Sequence, residues 1–162
     1  MRRNRRIATA VALVALVAVG GLVYAGSSRR TPITDPVTLR FKASVDQETS
    51  IDSLPTGTSL GYRTIRSLTA TSAGVDIGTL GLECSIAKTG HIQVACTGTL
   101  RLDGGQVTIQ TLYERDRYLA GNDVRVAVTG GTGSYLNAGG DGTLTRVSDN
   151  VQRYTITVNP LA

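Results

Sequence analysis

A chain of 162 residues, 41% of them hydrophobic, has the length for one domain of ordinary size with a real core. Its formal net charge of +5 says little about partners. Arg2, Arg3, Arg5 and Arg6 lie in the first six residues, and removing those four of seventeen basic residues leaves thirteen against twelve acidic ones. That near balance, without a basic patch interleaved with aromatics, excludes nucleic acid as the partner.

The chain opens on a positively charged run, MRRNRR, followed by the uncharged apolar stretch IATAVALVALVAVGGLVYA. Val23-Tyr24-Ala25 ahead of Gly26 has the character of a secretory cleavage site, so residues 1–25 read as a signal peptide cleaved after Ala25. The apolar stretch also approaches the roughly 20 residues that cross a bilayer, and an uncleaved N-terminal anchor through residues 7–25 is the alternative. Either the protein is secreted, or it is anchored to the outer face of the cytoplasmic membrane. Residues 26–37, GSSRRTPITDPV, read as a flexible polar linker, and residues 38–162 as the folded domain.

Strands are expected over residues 38–48, 58–70, 75–87, 91–102, 105–114, 123–129, 141–148 and 151–158. Beyond the leader no stretch combines helical spacing with caps. Eight strands joined by glycine-bearing turns suit an all-β fold, a closed antiparallel up-and-down barrel.

Parity tests that expectation. Leu80, Leu82, Cys84 and Ile86 share one face of the third strand, and Ile92, Val94, Cys96, Leu100 and Leu102 share one face of the fourth. A three-residue loop, Thr89-Gly90-His91, sets Ile86 opposite Val94, Cys84 opposite Cys96 and Leu80 opposite Leu100. The Asp103-Gly104 turn then pairs Leu102 with Gly105, Leu100 with Val107 and Gly98 with Ile109. Upstream, Ser72-Ala73-Gly74 taken as a three-residue loop sets Leu68 against Gly78 and Arg66 against Leu80, which turns Leu60, Tyr62 and Leu68 inward. The register around Asp149-Asn150 is left open.

Cys84 and Cys96, facing each other in an exported chain, are expected to form a disulfide, a reactive or metal-binding thiol being the alternative. His91 is the lone histidine and sits in a turn, so a Ser-His-Asp triad, a Cys-His pair and a histidine-rich metal site all lack their central residue. No Gly-x-Ser-x-Gly elbow occurs. No cofactor and no metal is expected.

Chemistry is then left to the barrel interior. Parity places Tyr62, Arg66, Asp76 and Tyr113 inside and Arg63, Glu83 and Glu114 outside. An unpaired guanidinium is costly to bury, so Arg66 must reach the mouth, pair with a carboxylate such as Asp76, or meet an oxygen-rich ligand. Two tyrosines beside it can orient a carbonyl, enol or epoxide oxygen, with Asp76 taking or giving a proton. Arg66, Tyr62, Tyr113 and Asp76 are therefore the candidate catalytic residues. The bland reading is a snorkelling arginine and two core tyrosines.

The most distinctive stretch is NDVRVAVTGGTGSYLNAGGDGTL, residues 122–144. Val124, Val126 and Val128 alternate as in a strand with one buried face, and then Gly130, Gly131, Thr132 and Gly133 stop it, with Tyr135 as the bulky anchor. A phosphate-binding loop would need a following helix and usually a lysine, and neither is present. The run is a structural crossing loop.

The segment VAVTGGTGSYLNAGGDGTL resembles the signature of the allene oxide cyclase and dirigent barrels, a strand meeting Gly-Gly-Thr-Gly, an aromatic and a small-residue stretch. The likeness extends loosely from Phe41 to Val158, through LGYRTIRS, VDIGTLGLECS and GTLRLDGG. Where that family commonly has Arg between Ala and Gly, Ala138 is followed directly by Gly139. The resemblance implies a cofactor-independent isomerase or cyclase, or a stereochemical template, that folds a small apolar molecule into one conformer in its lumen. It also implies assembly as a homodimer or homotrimer. A non-catalytic barrel that carries a hydrophobic ligand, or is purely structural, is the other reading.

Overall fold

The computed structural model describes residues 31–52 and 59–160. The leader and the first part of the linker, with the alternatives for them, lie outside the described residues. Eight strands in sequence order close into one antiparallel barrel: β1 (Val37–Ile51), β2 (Arg63–Ser72), β3 (Val75–Lys88), β4 (Gln93–Leu102), β5 (Gly105–Glu114), β6 (Val124–Gly131), β7 (Ala138–Arg146) and β8 (Val151–Pro160). Closure pairs β1 with β8, from Val37 opposite Val158 to Ser44 opposite Val151, and leaves no free edge. Two short helical pieces interrupt the strands, against the all-strand expectation: α1 (Arg115–Leu119) and a 3-10 turn at Gly133–Tyr135. Neither is long enough to show a hydrophobic period.

The β3–β4 and β4–β5 registers are those expected, including Cys84 opposite Cys96 and Gly98 opposite Ile109. The two cysteines are bonded, with Cα atoms 4.1 Å apart. Closing a loop of this length stabilises the fold by about 3 kcal/mol if the bond acts on the unfolded chain. The last hairpin, undecided from sequence, sets Arg146 opposite Gln152.

The β2–β3 register differs from expectation. The turn is the two-residue Ala73-Gly74, with φ of 50° and 82°, the positive pair a tight hairpin prefers, so Ser72 faces Val75. A bulge then sets Ala70 opposite Gly78 and Thr71 opposite Asp76, leaving Ile77 as the extra residue. Leu68 consequently meets Leu80 rather than Gly78, and Arg66 meets Leu82 rather than Leu80. The displacement is two residues, so Arg66 and Leu68 keep the predicted inner face. Leu60 is exposed and Tyr62 lies in the turn ahead of β2, so the strand expected from residue 58 starts at Arg63.

Inside, Leu68, Leu80, Leu100, Val107, Val126, Ile156 and Val158 are fully buried, and Phe41 stacks on Tyr154 with ring centroids 4.9 Å apart. These side chains fill the lower barrel, as expected for eight strands. The glycine run seals that end. After β6, Thr132 N–H donates to Gln106 O and Ser134 N–H to Gly104 O, both at 2.9 Å, pinning the crossing loop to the β4–β5 turn. Tyr135 packs over Gly104 and against the core, and Ile33 N–H donates to Ser134 O at 2.8 Å.

Candidate functional site at the barrel mouth

At the opposite end the barrel is not full. A cavity of about 270 Å³ opens there, bounded by Glu48 on β1, Tyr62, Thr64 and Arg66 around β2, Cys84 and Ile86 on β3, Val94 on β4, Tyr113 on β5, and Arg115, Tyr118 and Leu119 on α1. Its size is at the lower edge of ligand sites, which run from roughly 300 to 1,000 Å³. Beneath it a space of about 10 Å³ between Leu82, Cys96, Ile109, Gln152 and Tyr154 has room for at most one water. Larger depressions of about 640 and 540 Å³ are open surface grooves, one over the β4–β5 turn and one over the outer face of β2–β6. Neither is lined by Tyr62, Tyr113 or Tyr118.

Three of the four predicted residues, Tyr62, Arg66 and Tyr113, meet in the mouth cavity. Tyr62 is placed from outside the ladder: Gly61 N–H donates to Ile86 O, and Ile86 N–H donates to Tyr62 O at 2.9 Å. Asp76 does not join them. The β3 bulge flips its parity, so it is exposed at the sealed end of the barrel, where it accepts from Gly78 N–H at 2.9 Å.

Another carboxylate stands beside Arg66. A bulge in β1 between Val45 and Gln47 turns Glu48, which simple alternation from Phe41 would send outward, onto the position opposite Arg66. Glu48 Oε2 lies 2.8 Å from Arg66 Nε, an ion pair by distance. The Nε–H is not aimed at that oxygen, and this buried atom has no hydrogen-bond partner among the described residues. Arg63 and Glu83, predicted outward, pair with each other on the outer surface.

Tyr118 and Gln152 also carry no flag in the sequence. Tyr118 comes from a helix too short to read, and its ring packs on Tyr113 at 5.0 Å. Gln152 is a buried polar residue, on a hairpin whose register the turn leaves open. Tyr113 Oη is 3.8 Å from Cys96 Sγ, and since a disulfide sulfur has no proton the phenol is the donor.

Burial, reinforced by Tyr118, pushes the Tyr113 phenol up from 10.0 to about 12, with Arg66 and Arg115 opposing. Burial also raises Tyr118 and Tyr154. All three are neutral donors at physiological pH. A folded-state pKa above the unfolded value means a contribution fully present below about pH 10 and lost as pH rises toward 12. For Tyr113 alone the loss is roughly 1.4 kcal/mol per pH unit across that window. Urea unfolding at a series of alkaline pH values should show Tyr113→Phe with a shallower decline than the parent chain; an identical decline would show the phenol to be solvated.

No family model matches this chain, and no curated protein sequence does. Solved structures do match. A pyocyanin demethylase is 25% identical with a TM-score of 0.68, over 76% of this chain and 100% of that one. The Diels-Alderase AbmU from Streptomyces koyangensis is 17% identical with a TM-score of 0.67, over 78% of this chain and 64% of its own length. A pterocarpan synthase dirigent protein is 14% identical with a TM-score of 0.66, over 80% of this chain and 97% of that one.

Proposed function

We propose that this chain, an allene oxide cyclase/dirigent-like barrel by fold, binds a small, largely apolar molecule at its mouth and holds it in one conformer. On this reading it is an exported isomerase or cyclase that needs no cofactor, or a stereochemical template. The supporting observation is the convergence of Tyr62, Arg66 and Tyr113 on one cavity above an otherwise filled core. Fixing a flexible reactant lowers its barrier entropically, and neutral phenols beside a guanidinium stabilise negative charge developing on an oxygen. The neighbours named above for a demethylation, a Diels-Alder reaction and pterocarpan synthesis support small-molecule chemistry. The disulfide suits an oxidising compartment.

A non-catalytic exported barrel that binds a hydrophobic ligand is the second reading, and one observation favours it. Glu48, the carboxylate at the cavity, is held by Arg66 and is no free base. The test is to extract the small molecule from the natively exported protein, identify it by mass spectrometry and return it to the protein. Conversion on incubation, lost in Arg66→Ala, supports the enzyme. Recovery unchanged, with Arg66→Ala weakening affinity about tenfold or more, supports the carrier. A protein that retains no small molecule and takes up none contradicts both.

A further inference from the structure

Gln152 is bonded at both ends of its side chain. Tyr154 Oη donates to Gln152 Oε1 at 2.7 Å, and Gln152 Nε2 donates to Tyr118 Oη at 2.9 Å. Burial sets the direction of this relay. Tyr154 is 1% exposed and has no other acceptor among the described residues, so an amide turned the other way would strand its proton in the core. With the amide fixed, Tyr118 receives a hydrogen bond, and no described residue accepts its own proton. Tyr118 lines the mouth cavity, which is where that proton has an outlet. Each bond in such a chain polarises the next, which sharpens the terminal phenol as a donor.

Two cationic side chains share the cavity. Arg66 keeps a buried Nε–H without a hydrogen bond, and Arg115 has no ion-pair partner among the described residues. Against them stands Glu48, already against Arg66. The cavity also has apolar lining, from Ile86, Val94 and Leu119.

We propose that Tyr118 donates to an anionic oxygen, of a carboxylate or enolate, on an otherwise apolar ligand at the mouth, and that Gln152 and Tyr154 are the residues that position it. This rests on the reading of the mouth as a ligand site. The test uses the full chain and two matched probes, 2-naphthoate and 2-methylnaphthalene, followed by probe fluorescence in a protein without tryptophan. The parent chain should prefer the naphthoate by about tenfold or more. Tyr118→Phe should cut naphthoate affinity about tenfold and leave methylnaphthalene within about twofold. Gln152→Met, which keeps Tyr118 but removes its support, should lower the same ratio; should it fail to fold, Tyr154→Phe breaks the relay at its inner end with the ring packing kept. If Tyr118→Phe leaves the ratio unchanged, or weakens both probes alike, Tyr118 is packing only and the inference is overturned while the ligand site stands. If the parent chain binds neither probe, the mouth is no ligand site and both readings fall.

Discussion

Tyr154→Ala is expected to destabilise the barrel by about 3–5 kcal/mol, a large part of the roughly 5–15 kcal/mol that holds a domain folded. The ring is fully buried, lies parallel to Phe41 within 6°, and faces Leu144 across the β7–β8 ladder. Its removal enlarges the small void beside Leu82, Cys96 and Ile109 rather than letting the wall collapse, because every strand is held on both sides. Tyr154→Phe keeps the ring and strands only the Gln152 carbonyl, so it should cost about 1–3 kcal/mol. Urea unfolding of the two variants separates packing from hydrogen bonding. A cost below about 1 kcal/mol for Tyr154→Ala would mean that the ring does not pack as described.

Gly140→Ala is expected to cost roughly 3 kcal/mol or more, from backbone strain together with forced displacement of a paired strand. Gly140 has φ of 146°, and a Cβ there would lie 2.0 Å from Thr157 O. It pairs with Val128 on one side and Val158 on the other, so the carbonyl cannot retreat without opening the β7–β8 seam. Gly81→Ala on β3 is the control: a Cβ there meets nothing within 4 Å, and stability should stay within about 0.5 kcal/mol. Hydrogen exchange should locate the damage, with faster exchange along β8 in Gly140→Ala alone. Equal stability in the two variants would contradict the close approach.

The pattern of these strands was legible because alternation needs no tertiary information. Leu80, Leu82, Cys84 and Ile86 announce a buried face, and a tight turn carries that face to Val94, Cys96 and Leu100. The disulfide followed from the same counting. Legibility ended at the bulges. One extra residue at Ile77 turned Asp76 out, and one at Asp46 turned Glu48 in, so the carboxylate beside Arg66 comes from a different strand than parity predicts. A bulge has no hydrophobic signature, and the β1–β2 connection is too long to fix a register by counting back to Glu48. Tyr118 was hidden for another reason, since a single helical turn between strands shows no period. Arg66 keeps its expected face because an error of two residues preserves parity, Tyr113 because the β4–β5 register is as counted, and Tyr62 reaches the cavity from the turn ahead of β2.

The tyrosines offer a direct reading of where a ligand sits. Tyr62, Tyr113 and Tyr118 line the mouth, Tyr154 lies beneath its floor, and Tyr135 caps the sealed end. With ring-¹³C-labelled tyrosine in the full chain, titration with 2-naphthoate should move the resonances of Tyr62, Tyr113 and Tyr118 together and saturably, and leave Tyr135 in place. Movement of Tyr135 while the three mouth tyrosines stay unchanged would put the ligand elsewhere and leave the cavity without a role.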